Sequence, residues 1–256
     1  MTTSHSVHTP SSSESVPSKS AIDQSAIEQS PIETIYQSSI GKKILTGITG
    51  LGLVIFIVAH LLGNLLLFIS PDAYNQYGHV LEGLGPLLWA VEILLLLVIL
   101  VHASIGVQIY LNKRRARPVG YDTYQSAGQP SQQTLSSKTM IWTGIVLAAF
   151  IGWHVVSFKF GPHYGTSLDG SLTPVRDLYR LVVEAFQTLG YTVTYTVALI
   201  LLGFHLRHGI WSALQSLGLL DRMTLPAATR LSVAIATILT IGFLSIPWAI
   251  YTGLIS

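Results

Sequence analysis

Five stretches of this chain stay apolar for long enough to cross a lipid bilayer, at about 42–69, 86–112, 139–160, 181–212 and 229–252. At ~1.5 Å per residue each covers a hydrocarbon layer of ~30 Å, and two extend past it. The runs are continuous rather than alternating, which excludes β-barrel spans. Only 10% of the residues are charged and the mean hydropathy is +0.54, whereas a soluble domain averages about 25% charged. The expected fold class is therefore all-α: an integral membrane protein of five transmembrane helices. Pro71 and Pro86 bracket the first loop and Gly161-Pro162 closes the third span. Pro247 lies inside the fifth span, where a membrane helix tolerates a kink.

Ahead of the spans, the first thirty residues hold ten serines and few large apolar side chains. Residues 1–38 read as a disordered cytoplasmic tail, and residues 39–256 as one membrane domain. No apolar stretch of the kind a cleaved signal peptide needs precedes Ile44. The chain has no cysteine, so it holds no disulfide, no iron–sulfur cluster and no covalently attached c-type haem of its own.

Basic residues set the direction of the spans. Lys42 and Lys43 precede the first; Lys113, Arg114, Arg115, Arg117 and Lys138 fill the second loop; Arg207, Arg222 and Arg230 flank the fourth span. The opposite side carries Lys159, Arg176 and Arg180. By the positive-inside rule the N-terminus is cytoplasmic and the C-terminus outside.

His60, His102, His154 and His205 each fall in a different one of the first four spans. A polar ring in hydrocarbon needs a partner, and four on four helices suggest ligands arranged in pairs. Depth assigns the pairs. The first and third spans run outward, with His60 about 16 Å and His154 about 10 Å from their outer ends. The second and fourth run inward, with His102 and His205 in their inner halves. Hence His60 is expected opposite His154 at an outer haem iron, and His102 opposite His205 at an inner one. Two axial histidines leave no open iron position, so such stacked b haems carry electrons rather than bind oxygen. The other nitrogen of each ring is free to hydrogen-bond and hold its orientation.

His208, three residues beyond His205, faces a neighbouring side of the helix. It competes as the fourth ligand but lies closer to water, where a haem propionate would be its partner instead; His205 is the favoured ligand. His79 and His163 lie in outer loops, and His5 and His8 in the tail. Gly52, Gly63, Gly106, Gly144, Gly152, Gly203 and Gly209 lie near the four sites. They let a flat macrocycle approach the backbone, or else serve ordinary close helix packing. Trp89, Trp142, Trp153, Trp211 and Trp248 mostly mark span ends, as interfacial anchors. Glu92 and Glu184 fall in the outer halves of their segments.

Several segments together resemble the cytochrome b558 subunit of succinate dehydrogenase, the five-helix dihaem type shared with dihaem quinol:fumarate reductases. They are HLLGN at 60–64, YNQYGHVLEGLGPLLWAVE at 74–92, VHASIGVQIYLNKRRARPVGY at 101–121, the interval from Thr143-Gly144 to His154, and HLRHGIWSALQSLG at 205–218. The resemblance covers residues 35–256. It implies one haem ligand from each of the first four helices, at His60, His102, His154 and His205. It also implies a cytoplasmic flavoprotein carrying FAD and an iron–sulfur subunit as partners. Electrons would then pass between succinate or fumarate and a membrane quinone, menaquinone as a rule, in a bacterial inner membrane. This subunit would anchor the complex and relay electrons without touching the dicarboxylate.

The resemblance further implies an acidic residue near the outer haem that exchanges protons with menaquinol, and spacing from the first ligand places Glu82 there. Some dihaem fumarate reductases carry a glutamate just before the fourth ligand; here Gly203 lies two residues before His205. In the basic second loop Arg114, Arg115, Arg117 and Lys138 are candidates for anionic lipid, for haem propionates, or for the iron–sulfur subunit. No nucleic-acid partner is expected. Two rival functions stand beside this reading: a dihaem subunit of another membrane oxidoreductase such as a hydrogenase, formate dehydrogenase or nitrate reductase, and a transporter or scaffold that binds no haem.

Overall fold

A computed structural model of the chain describes residues 38–116, 135–168, 174–221 and 223–256. The tail expected to be disordered lies outside the described residues, except for Ser38, and so do Arg117 and Arg222.

Ser38 opens the first helix by accepting the Gly41 N–H on its hydroxyl at 2.8 Å, supplying one of the amides that a helix start leaves unpaired. Helix α1 (Ser39–Asn64) then tightens into a single 3₁₀ turn, Leu65–Phe68. The loop bracketed by prolines is itself helical. Ser70 caps α2 (Pro71–Gly83) through the Ala73 N–H, with Pro71 at the first helical position, where its missing N–H costs nothing. Gly85 turns the chain with φ +52, a conformation that disfavours any side chain, and delivers Pro86 to the start of α3 (Pro86–Arg115).

Next come α4 (Leu135–Phe158), a two-stranded antiparallel hairpin of β1 (Gly165–Ser167) and β2 (Pro174–Arg176), and α5 (Leu178–Phe186). Two long helices follow, α6 (Leu189–Ser216) and α7 (Leu225–Tyr251). The fourth span thus begins at Leu189, not at 181. The chain leaves the helix after Phe186 and re-enters it at Leu189, so Glu184 belongs to the short α5.

Five of these segments are long and apolar enough to cross a membrane: Ser39–Phe68, Pro86–Arg115, Thr139–Phe158, Leu189–Ser216 and Leu225–Tyr251. Together they make an all-α multi-pass membrane bundle. Helices α1, α3, α4 and α6 alternate in direction, with α6 packed on α1, α4 and α7, and α3 on α1 and α4. Without a hydrophobic drive between helices in lipid, close contact needs small residues at the crossings. Gly203 supplies one: a Cβ there would stand 2.5 Å from Thr240 Oγ1 on α7. Gly63 supplies another, directly under the Tyr77 ring of α2.

The two ends differ. Lys42, Lys43, Lys113, Arg114, Arg115, Arg207 and Arg230 gather at one, the basic end. The other, the hairpin end, carries α2, β1, β2 and α5, held together by polar contacts. Asn75, 2% exposed, donates to Asp177 Oδ1 at 2.9 Å and accepts the Tyr179 N–H at 2.9 Å, tying α2 to the start of α5. Arg176 donates to the carbonyls of Phe158 and Lys159, which closes the C-terminus of α4 with a cation, as the helix dipole favours.

Candidate haem site

The four span histidines meet in two pairs at different depths. Toward the hairpin end His60 of α1 and His154 of α4 stand with ring centroids 5.7 Å apart, nearly perpendicular. Toward the basic end His102 of α3 and His205 of α6 are 6.4 Å apart. A metal–imidazole bond is about 2 Å, and adding about 1 Å from nitrogen to ring centre on each side puts two axial imidazoles about 6 Å apart. The separations of both pairs therefore match two imidazoles with one iron between them.

The second ring nitrogen is engaged in three of the four. Nδ1 of His102 lies 3.2 Å from Thr49 Oγ1, Nδ1 of His205 3.1 Å from Thr143 Oγ1, and Nδ1 of His154 2.9 Å from the Tyr195 hydroxyl. Each bond leaves Nε2 for a metal, the division of labour expected of a ligating histidine. His60 differs: the Asn64 amide donates to the His60 carbonyl at 2.8 Å and stands 3.5 Å from both ring nitrogens, too far for a directed bond. Asn64 is itself held by the Tyr74 hydroxyl at 3.1 Å. Burial pushes the Tyr74 phenol up, so it stays a donor.

Aromatic side chains surround the hairpin-end pair. Phe56 stacks on His60, with Phe243 behind it, while Phe150, Phe158 and Tyr195 line His154. Trp153, read as an interfacial marker, packs inward against Tyr191 and Tyr195 instead. At the basic end Gly106 and Gly209, each one turn beyond a histidine of its own helix, are half-buried, yet a Cβ on either would meet no atom within 4 Å. The space beside these two is open, as the approach of a flat ring to the backbone requires. Gly52 and Gly152 are likewise open, whereas Gly63 and Gly203 serve helix packing, and Gly144 faces the His205 ring at 3.6 Å.

The remaining candidates are more peripheral. His208 lies toward the basic end from His205, half-buried beside Trp211. Arg114 is exposed and reaches over the Tyr110 ring at 5.9 Å. Lys138 sits on the first turn of α4, its side chain outside the described residues. Glu82 is exposed on the last turn of α2, and His79 and His163 are exposed at the same end. Glu92, by contrast, is partly buried on α3 and paired with Lys159, which also lies over the Trp89 ring.

Thr49 and Tyr195 join the site without being expected there, and Thr143 is expected only as the start of a resembling interval. A signal for two of them exists. Thr49-Gly50 precedes His60 at the same interval at which Thr143-Gly144 precedes His154, with Phe56 and Phe150 each one turn before the histidine.

No protein-family model and no solved structure matches this chain. It is similar to the succinate dehydrogenase cytochrome b558 subunit of Bacillus subtilis (strain 168), with 25% identity over 190 residues, 73% of this chain and 83% of the relative. That relative bears the name of the family that the sequence motifs resemble, the cytochrome b558 subunits of succinate dehydrogenase.

Proposed function

We propose that this chain anchors a succinate:menaquinone oxidoreductase in the bacterial inner membrane and holds two b haems that relay electrons between its iron–sulfur subunit and quinone. The observation that carries the reading is the pairing of four histidines from four helices into two sets, each spaced for one iron. The relative's name supports the choice of a succinate dehydrogenase over other dihaem oxidoreductases.

A b haem, when bound, supplies reversible one-electron exchange. The protein's part is to hold and insulate. His60 with His154, and His102 with His205, would hold the two irons; Thr49, Thr143 and Tyr195 keep the ring nitrogens oriented. The aromatic side chains around His60 and His154 exclude water. His208, Arg114 and Lys138 suit haem propionates or anionic surfaces at the basic end.

The positive-inside rule turns that basic end to the cytoplasm, with the N-terminus there and the C-terminus outside. It is then the face that meets the iron–sulfur subunit and, through it, the flavoprotein with FAD. Quinone exchange belongs at the hairpin end, where Glu82 is the candidate to accept or supply its proton.

A reduced-minus-oxidised visible spectrum of the purified protein, with haem extraction, tests this. Two protohaems per chain and a b-type α-band are expected. No α-band and no extractable haem would refute it. Co-purification of a flavoprotein and an iron–sulfur subunit distinguishes a succinate dehydrogenase from another dihaem enzyme.

A further inference from the structure

The two threonines at the basic-end pair do more than touch the rings. Thr49 Oγ1 donates back to its own helix, to Leu45 O at 2.8 Å or Thr46 O at 3.2 Å. Thr143 Oγ1 does the same, to Met140 O at 3.0 Å or Thr139 O at 3.2 Å. A hydroxyl has one hydrogen, and each of these has backbone carbonyls of its own helix in reach to take it. With Nε2 on the iron of the proposed haem, Nδ1 carries the ring hydrogen. The bonds then run from Nδ1–H of His102 to Thr49 and from Nδ1–H of His205 to Thr143.

The following glycine completes the hold. A Cβ on Gly50 would stand 3.1 Å from Cε1 of His102, and one on Gly144 3.6 Å from Cε1 of His205. Each basic-end ring is thus seated against a Thr-Gly step of the neighbouring helix. The hairpin-end pair has no such step: its partners are a phenol at His154 and a carboxamide beside His60.

We infer that Thr49-Gly50 and Thr143-Gly144 are matched positioning elements that fix the tautomer, orientation and donor strength of His102 and His205, and so set the reduction potential of the basic-end haem independently of the other. The inference rests on the dihaem reading above. Its direction follows from ligand chemistry. An acceptor on Nδ1–H increases the electron density at Nε2, which favours the ferric state. Removing the acceptor raises the potential.

The test uses the intact complex, with Thr49→Val, Thr143→Val and the corresponding Thr→Ser variants, by redox titration and by the electron-spin-resonance signal of the low-spin ferric haems. The basic-end transition is the one that His205→Ala removes. In the valine variants it should move upward by a threefold or greater change in the ferrous-to-ferric ratio. That is about 30 mV, at ~59 mV per tenfold for one electron. The hairpin-end transition should stay in place, and serine should restore the parent value. Loss of the basic-end haem in valine but not in serine also supports the inference. An unmoved potential in the valine variants overturns it, as does an equal shift or equal loss in valine and serine, which would make packing and not the oxygen responsible. Failure of the dihaem reading would show separately, as missing haem in the unaltered protein.

Discussion

The Tyr195 hydroxyl lies 2.9 Å from Nδ1 of His154, and the same phenol ring packs edge-on against Phe150 and Phe186. Tyr195→Phe keeps that packing and removes only the hydrogen-bond partner. The ring nitrogen left without that partner costs about 1–3 kcal/mol. The haem of the hairpin end should be retained at a higher potential, with the basic-end haem unchanged. Titration of both transitions checks this, and an unmoved pair would deny Tyr195 any part in holding His154.

His154→Ala should remove the hairpin-end haem preferentially, because its iron loses one axial ligand while the other pair keeps both. Haem extraction should fall from two per chain toward one, with one redox transition left. Unchanged stoichiometry with both transitions intact would reject His154 as a ligand.

His205 and His208 sit on one helix but in different surroundings, one opposite His102 and the other beside Trp211. His205→Ala should eliminate the basic-end haem. His208→Ala should keep it, with a potential shifted through the propionate environment. The reverse result would reassign the ligand, and equal loss in both would mark an assembly defect.

Glu82 and Glu92 separate two ways a carboxylate can serve the hairpin end. Glu82→Gln keeps shape but cannot titrate; quinone-linked turnover should fall about 10²-fold, with both haems and the dicarboxylate half-reaction intact. Turnover within about twofold of the parent would return Glu82 to the ordinary exposed acids of a helix surface. Glu92→Gln, which breaks the pair with Lys159, is the informative companion, since Glu92 is the acid the bundle partly encloses.

Asn75→Ala should destabilise the hairpin end without touching either histidine pair. It removes a buried amide that bridges Asp177 and the Tyr179 N–H, leaving partners stranded at a cost of about 1–3 kcal/mol. Thermal unfolding in detergent should show a lower midpoint, while the visible spectrum of the folded protein stays the same.

Much of this was legible in the chain because lipid imposes a strong rule: every span must be one continuous apolar helix. Charge placement and histidine depth then suffice to pair His60 with His154 and His102 with His205. The break between α5 and α6 was hidden, because Leu181, Val182, Val183 and Phe186 are as apolar as a span. They are buried against protein rather than exposed to lipid, a difference that hydropathy does not encode. Helix α2 was hidden for the opposite reason: its sequence is too polar to stand out between two prolines. Thr49 and the role of Thr143 are hard to read because a single threonine in a helix has many uses; only the repeated interval to the histidine, in α1 and again in α4, marks them.

That interval has a mechanical meaning. Helices α1 and α4 each carry one histidine of the hairpin-end pair and, eleven positions earlier, the threonine beside a ring of the basic-end pair. Both are rulers of equal length, about 16 Å at ~1.5 Å per residue, and they set the spacing between the two histidine pairs. One extra residue inserted between threonine and histidine in either helix alone would rotate its histidine by ~100° out of the shared slot. Matched lengths in two separate helices are what keep the two histidine pairs level with each other.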